Sequence, residues 1–235
     1  MPNTYTITIQ NNSGTNQNYA LFNEKPVVTS SVASKVWNNA LKIAPAGPGS
    51  STTFTINSQY YAYVGSSSGV PGQDDVAVSV STANPVDLGS TDLQGNPKKG
   101  TTLKMDVVDM APQFTGKAAA NGSLGAFGIN TAPGTDDNQF TFQAAKDNGW
   151  VIGLGKVVNG KTVPAATIIP QPNCNYQIQP INTWYIAYGT YKAGQVVNFE
   201  MTGLTKATVD FTSGPSNARV VHSQGGQITT QTSDD

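Results

Sequence analysis

The sequence is short of several residue types, and each shortage excludes a class of function. It has 235 residues, of which only 11% are charged, and its net charge is −1. Soluble domains usually carry about 25% charged residues, so the solubility of this chain depends on neutral polar side chains. Nucleic-acid binding needs a basic surface that displaces counterions from phosphate. A chain with a single arginine, Arg219, is not expected to bind nucleic acid.

Histidine and cysteine each occur once, as His222 and Cys174. This excludes zinc sites built from several cysteines or histidines, and it excludes an intramolecular disulfide. A thiolate and an imidazole together can carry out acyl transfer, but these two residues lie far apart in the sequence and no motif connects them. We therefore predict no catalytic residue.

Long apolar segments are also missing. No run approaches the roughly 20 residues that a membrane helix needs, and the first residues lack the basic and apolar regions of a secretory signal. We expect a protein without a membrane partner that is cytoplasmic or released without a classical signal peptide.

Metals that prefer oxygen ligands remain compatible with this composition. Calcium binds carboxylate and carbonyl oxygens, and two acidic pairs lie near glycines, Asp74 with Asp75 and Asp136 with Asp137. Neither pair belongs to a full EF-hand pattern, and Asp is also common in ordinary solvated turns. We predict no required cofactor, and these four carboxylates are the candidate ligands should calcium bind.

Short alternating segments predict an all-β fold. Residues 4–10 alternate polar and apolar side chains, place Tyr5, Ile7 and Ile9 on one face, and are followed by turn residues. Similar patterns recur at 53–56, 61–64, 76–80, 103–107, 139–142, 150–152, 176–178, 184–188, 196–199, 207–211 and 219–222. Short strands separated by Gly- and Pro-rich turns are typical of sandwiches and barrels. We predict an antiparallel β-sandwich, jelly-roll-like or Greek-key.

One segment has an alternative reading as a short helix. Residues 32–43 place apolar side chains at helical spacing, although Asn38 and Asn39 are poor residues for a helix interior. The chain length fits one large sandwich. We predict a single domain over residues 1–223 and a frayed C-terminal tail over 224–235.

Aromatic side chains are concentrated in two of the predicted strands, around Tyr63 and around Trp184. Such large side chains are most often core residues. A nearly uncharged polar surface with exposed rings, however, suits a neutral ligand that is held by hydrogen bonds and ring stacking. The predicted ligand-binding residues are therefore aromatic side chains and nearby amides: Tyr63, Trp184, Tyr188, Tyr191, Asn182 and Gln195.

Two blocks of the sequence carry a family resemblance. The first combines Asn11-Asn12-Ser13 after the opening strand, the pair Val36-Trp37 and the aromatic strand at 60–65. The second runs from 176–180 through 183–191 to 194–196. In these blocks the chain resembles the RhiA-like family, named after the rhizosphere-induced protein RhiA. The resemblance implies a β protein, cytoplasmic or unconventionally placed, that is linked by name to microbial interaction with plant roots, and it implies no catalytic residue.

Three functional hypotheses remain open. The first is a non-enzymatic, lectin-like protein that binds a neutral small molecule or glycan, with a symmetric homodimer as one arrangement. The second is a cofactor-independent enzyme of the cyclase or isomerase type, which uses a carboxylate or a tyrosine as acid or base. Its sign would be an apolar pocket that holds Asp106, Asp210 or Glu200. The third is a structural or self-assembling protein.

Overall fold

The computed structural model describes residues 3–137, 139–197, 205–213 and 215–231. Within these residues nearly all regular structure is strand, which confirms the all-β prediction, and no helix is long and apolar enough to cross a membrane. The elements are β1 (Thr4–Asn11), β2 (Gln17–Asn23), β3 (Val27–Ser30), β4 (Trp37–Asn39), β5 (Lys42–Ala46), β6 (Ser51–Ser67), β7 (Val78–Val86), β8 (Ser90–Thr91), β9 (Pro97–Lys98), β10 (Gly100–Val108), β11 (Ala111–Gly122), β12 (Phe127–Thr131), α1 (Phe142–Asp147), β13 (Trp150–Val158), β14 (Lys161–Ile168), β15 (Asn175–Gln179), β16 (Thr183–Tyr188), β17 (Val196–Val197), β18 (Lys206–Asp210), β19 (Asn217–His222) and β20 (Ile228–Gln231).

The largest sheet has nine strands in the order β17-β4-β14-β13-β6-β1-β19-β20, with β7 paired to β6. The first half of β6 pairs with β1, and its second half pairs with β13 and β7. β1 also lies parallel to β19, so that Thr6 is opposite Asn217. Two segments from opposite ends of the sequence therefore meet inside this sheet.

Two smaller sheets and a hairpin complete the fold. The five-stranded sheet has the order β11-β10-β12-β15-β3, the four-stranded sheet has the order β18-β16-β2-β5, and β8 pairs with β9. Most neighbouring strands are antiparallel, as predicted, but β10 and β12 are parallel, like β1 and β19. Parallel pairing requires a long connection that returns the chain to the same end of the sheet, and both pairs have one.

Hydrophobic side chains from the three larger sheets form one core. Ile7 and Phe54 of the nine-stranded sheet, Met105 of the five-stranded sheet and Ile186 of the four-stranded sheet belong to the same buried cluster. A second, smaller cluster that includes Phe22 covers the opposite face of the four-stranded sheet. Because both of its faces are covered, this sheet offers little of its central surface to solvent.

The helix considered for residues 32–43 is absent. This segment contains β4 and the start of β5, and all residues from Trp37 to Leu41 are buried, which a helix with one apolar face does not produce. Pairing of β4 with β14 and β17 determines the structure here. The side-chain amide of Asn38 donates to the backbone oxygen of Asn23 at 3.0 Å. Asn38 is therefore a buried hydrogen-bond donor between strands, a role that it would not have on a surface helix.

The strand predicted for residues 139–142 is also wrong. Thr141 is the N-cap of α1, and its hydroxyl accepts a hydrogen bond from the backbone N–H of Ala144 at 3.0 Å. Phe140 is buried and packs edge-on against Trp150, with 6.2 Å between ring centroids. The alternation of residues 139–142 therefore comes from the buried ring of Phe140 and from the start of α1 at Phe142, and not from a strand.

The C-terminal segment is more ordered than predicted. Within the segment expected to fray, residues Ile228–Gln231 form β20, which pairs with β19. Ile228 is buried in the main core, which anchors the strand. Residues 232–235 lie outside the described residues.

Candidate functional site

Two of the predicted ligand-binding residues are core residues. Tyr63 is 0% exposed, and its hydroxyl lies 2.6 Å from the hydroxyl of Thr167. Trp184 is 1% exposed, and its indole N–H donates to Oδ1 of Asn182 at 3.1 Å. Neither ring presents a face to solvent, so neither can belong to a surface on which a ligand stacks.

The other predicted residues do not form one surface. Tyr188 packs against the main core, with 4.2 Å between its ring centroid and that of His222. Tyr191 instead packs edge-on against Phe22 in the second cluster. The two tyrosines therefore belong to opposite faces of the four-stranded sheet. Their neighbours Asn182 and Gln195 are hydrogen-bonded locally, to the backbone of residues 211 and 192.

The acidic pairs lie in exposed turns. Asp74, Asp75, Asp136 and Asp137 are all exposed, and Asp75 has a left-handed backbone with φ of 57°. Among the described residues, no group of three or more His, Cys, Asp or Glu is placed to hold a metal ion. Calcium binding at these loops stays a prediction.

Cys174 and His222 have separate surroundings. Both are buried; the backbone N–H of Cys174 donates to the hydroxyl of Thr131, and Nδ1 of His222 lies 2.9 Å from the hydroxyl of Tyr19. Burial lowers the pKa of His222, which favours the neutral imidazole. These contacts give the two residues structural roles in different parts of the core.

A groove of about 710 Å³ lies between the four-stranded sheet and the β4–β17 edge of the nine-stranded sheet. Strand pairing brings its walls together: β2 pairs with β16, β16 pairs with β18, and β4 pairs with β17. This cavity is called the groove below, and the residues that line it are Glu24, Lys25, Ser34, Lys35, Val36, Trp37, Asn38, Tyr185, Val197 and Lys206.

Charged and aromatic side chains are paired within the groove. The hydroxyl of Tyr185 donates to the carboxylate of Glu24. The ammonium group of Lys206 lies 4.2 Å from the centroid of the Tyr185 ring, and that of Lys35 lies 5.7 Å from the centroid of the Trp37 ring. Both distances are within the range of cation–π attraction. Each ring in the groove thus has a positive charge near its face.

Three unpaired buried polar atoms belong to residues in or next to this groove, although the atoms themselves lie below the accessible surface. In the part of the chain that the structure describes, six buried side-chain atoms lack a hydrogen-bond partner, and three of them are Oδ1 of Asn23, Nε1 of Trp37 and Oδ1 of Asn38. Trp37 and Asn38 line the groove, and Asn23 precedes Glu24. A buried unpaired polar group costs roughly 1–3 kcal/mol, and such groups call for a specific explanation.

Comparison with known proteins identifies the family. A family model described as RhiA matches residues 2–233. The chain belongs to the RhiA family. The resemblance found in the sequence is therefore confirmed, and the RhiA match spans every residue of the groove. No curated protein and no solved structure matches the chain.

Sequence reasoning assigned none of the groove residues of this RhiA-family chain to a binding site. Lys25, Lys35 and Lys206 are isolated lysines in the sequence and belong to no motif. One signal was available: Trp37 is followed by Asn38 and Asn39, and polar amides inside an apolar segment indicate buried hydrogen bonding. That signal indicates buried polar side chains, but it indicates neither the groove nor its charged side chains.

Proposed function

We propose that the protein is a non-enzymatic ligand-binding protein whose binding site is the groove. The observation that carries this proposal is that the aromatic side chains of Trp37 and Tyr185 and several charged side chains converge on one cavity. Clefts that combine aromatic walls with a few fixed polar groups are the usual form of small-molecule sites. None of the residues first predicted for ligand binding carries this role.

The dimensions of the groove agree with a small molecule. Binding pockets commonly enclose about 300–1,000 Å³ and combine apolar or aromatic walls with a few placed polar groups. The groove has about 710 Å³ and provides both kinds of wall, with Trp37 and Tyr185 beside charged side chains. A saccharide of one to a few rings is the proposed ligand class, which keeps the carbohydrate-binding hypothesis and moves it to a different surface.

The alternative of an enzyme with a carboxylic acid in an apolar pocket has less support. Asp210 is exposed at the end of β18, and hydrogen bonding to Thr212 lowers its pKa, whereas a general acid at neutral pH needs a raised one. Asp106 is half-buried, and its carboxylate lies 3.8 Å from the ammonium group of Lys104. Both residues line a surface depression that is separate from the groove. Glu200 lies outside the described residues.

A steric block of the groove tests this proposal. Ser34 is half-buried in the groove wall, whereas Ala33 precedes it in the same loop, is exposed and does not line the groove. A panel of neutral and acidic mono- to trisaccharides would be screened by ligand-observed NMR. We expect binding by the wild type and by Ala33→Trp, and at least about tenfold weaker binding by Ser34→Trp.

The proposal fails if no saccharide of the panel binds, or if Ser34→Trp and Ala33→Trp bind equally well. Thermal unfolding of both variants checks that each is folded, so that a loss confined to Ser34→Trp reports on the groove.

A further inference from the structure

A two-stranded hairpin projects from the body of the protein and buries none of its own side chains. It consists of β8, β9 and the turn between them, and all residues from 90 to 99 are exposed. A two-stranded hairpin on its own is only marginally stable in water. Packing against the core therefore does not hold this hairpin, and its whole surface is accessible to a partner.

The turn at the tip of the hairpin, residues 92–96, is fixed by its own hydrogen bonds. Oδ1 of Asp92 accepts from the backbone N–H groups of Gln94 and Asn96 at 2.9 and 2.8 Å, and Oδ2 accepts from the side-chain amide of Asn96 at 3.0 Å. The backbone N–H of Asp92 donates to the carbonyl of Asn96 at 2.9 Å. A turn that is already held in one conformation loses little entropy when it binds a partner.

Two leucines mark the two ends of this hairpin, and they are the most exposed large apolar side chains of the described residues. Leu93, at the tip, is 102% exposed, and Leu124 is 69% exposed. Leu124 lies beside the base of the hairpin, because Gly89 forms a bridge with Leu124 and accepts from the backbone N–H of Gly125 at 2.8 Å. Four residues separate Gly89 from Leu93, which is about 13 Å of extended strand. One exposed leucine needs no explanation, but two at opposite ends of one exposed element indicate a contact surface.

The charges of the hairpin are also divided between its two ends. Asp92 is the only charged residue of the tip. At the base, Lys98 and Lys99 contribute +2 and Asp87 contributes −1, so the base has a net charge of +1. All four side chains are exposed. Electrostatic complementarity therefore favours contact between the tip of one copy and the base of another over contact between two tips.

We propose that the hairpin is the interface of a symmetric homodimer, in which two hairpins lie antiparallel with the tip of each against the base of the other. Leu93 of each protomer then packs on Leu124 of the other. Asp92 of each protomer faces Lys98 and Lys99 of the other. A two-fold axis repeats every one of these contacts, as a closed isologous interface requires. The hairpin residues do not line the groove, so this inference does not depend on the proposed saccharide site.

The size of the hairpin indicates a weak dimer. Its ten residues together with Leu124 are fewer than the roughly 20–30 residues that each side of a standard interface contributes. Interfaces of standard size have Kd values of about 1 μM or lower. We therefore expect a dimer Kd on the order of 100 μM, for which the hairpin is the principal contact.

Sedimentation equilibrium measures this association. The average mass of the wild type should rise from near the monomer mass of 24.6 kDa toward twice that value as the protein concentration increases from about 10 μM to about 500 μM. Higher salt should weaken the association, because it screens the pairs of opposite charge. A constant monomer mass over this range overturns the inference, and a mass beyond the dimer overturns the closed two-fold arrangement.

Substitutions of the two leucines assign the association to the hairpin. Leu93→Asp and Leu124→Lys should each raise the dimer Kd at least about tenfold, because each places a charge in the apolar contact. Met110→Asp is the matched control, since Met110 is a 53% exposed apolar residue in a different turn, and it should dimerise as the wild type does. Thermal unfolding checks that the three variants are folded. Dimerisation of Leu93→Asp as strong as that of the wild type overturns the inference.

A mixture of the two leucine variants tests the antiparallel arrangement. In the mixed dimer one contact retains both leucines, and the other pairs the introduced carboxylate with the introduced ammonium group. Leu93→Asp labelled with ¹⁵N should therefore bind unlabelled Leu124→Lys at least about fivefold more tightly than either variant binds itself, as measured by amide chemical shifts of residues 89–100. A mixture that associates no better than the separate variants overturns the arrangement, because contact between two tips offers no such recovery.

Discussion

Lys156 is a lysine inside the protein core. It is 1% exposed, and its ammonium group donates to the backbone oxygens of Ser58 and Gln59 at 3.1 and 3.2 Å. The ring centroid of Tyr60 lies 4.0 Å from the same group. Burial lowers the pKa of Lys156 to about 7, since desolvation disfavours the charged form. The carbonyl contacts show how the fold accommodates it.

This lysine should make stability depend on pH. Between its folded pKa of about 7 and its unfolded value of 10.5, the unfolded chain binds a proton that the folded protein does not. The free energy of unfolding therefore rises as pH increases through this window. From pH 7 to pH 9 we expect the wild type to gain about 2–3 kcal/mol relative to Lys156→Met, measured by urea unfolding. The exposed Lys161→Met should behave as the wild type, and parallel curves for the wild type and Lys156→Met would contradict the expectation.

Met110 occupies an unfavourable backbone conformation. Asp109 and Met110 form the two-residue turn between β10 and β11, with φ of 50° and 60°, and the indole N–H of Trp150 donates to the Met110 carbonyl at 3.1 Å. The turn between β13 and β14 has the same length but uses Asn159 and Gly160. Side chains disfavour positive φ, whereas glycine adopts it readily.

Met110→Gly should therefore raise the free energy of unfolding by about 1 kcal/mol, since the Met110 side chain is 53% exposed and little burial is lost. The reciprocal change, Gly160→Met, should lower it by a similar amount. Thermal unfolding measures both. A destabilised Met110→Gly would show that the side chain contributes contacts that outweigh the backbone strain.

At the scale of elements, buried hydrogen bonds connect three strands of the largest sheet. The hydroxyl of Thr167 in β14 donates to Oδ1 of Asn39 in β4 at 2.6 Å, so the hydroxyl of Tyr63 in β6 must donate to Thr167. Asn39 in turn donates to the carbonyl of Gly194 at 3.0 Å. Thr167 is 0% exposed and mediates the whole connection.

Thr167→Val keeps the side-chain shape and removes this connection. Tyr63 and Asn39 would each lose a partner inside the core, and we expect the free energy of unfolding to fall by about 2–4 kcal/mol. Thr162→Val, in the same strand but half-buried, is the matched control and should change it by less than about 1 kcal/mol. Equal effects of the two substitutions in denaturant titrations would mean that the network contributes no more than an ordinary threonine.

Element prediction from the sequence succeeded where one face of a strand meets the core. The alternation in residues 4–10 and 184–188 follows directly from this geometry, and β1 and β16 are found there. It failed where tertiary contacts decide the conformation. Strand pairing replaces the helical spacing of residues 32–43, and a single capping hydroxyl on Thr141 starts α1 where alternation indicated a strand.

At the scale of the whole molecule, sheet order and the groove depend on contacts that no local pattern records. The alternation of Trp184 and Tyr185 indicates opposite faces, but it does not reveal that a second cluster covers the outer face of the four-stranded sheet. The groove joins Glu24, Trp37 and Lys206, which belong to segments far apart in the sequence. The family and the all-β class were thus predictable, whereas the candidate site was not.

The parallel pairing of β1 with β19 has a consequence for the order of events during protein synthesis. β1 can pair with β6 early, but the other edge of β1 has no partner until β19 has left the ribosome, because Thr6 lies opposite Asn217. Until then a nascent chain presents an open strand edge, the kind of surface on which chains associate. Closing a loop of this length also slows folding. The largest sheet is therefore completed late in translation, and this interval is when the chain is most open to association with other chains.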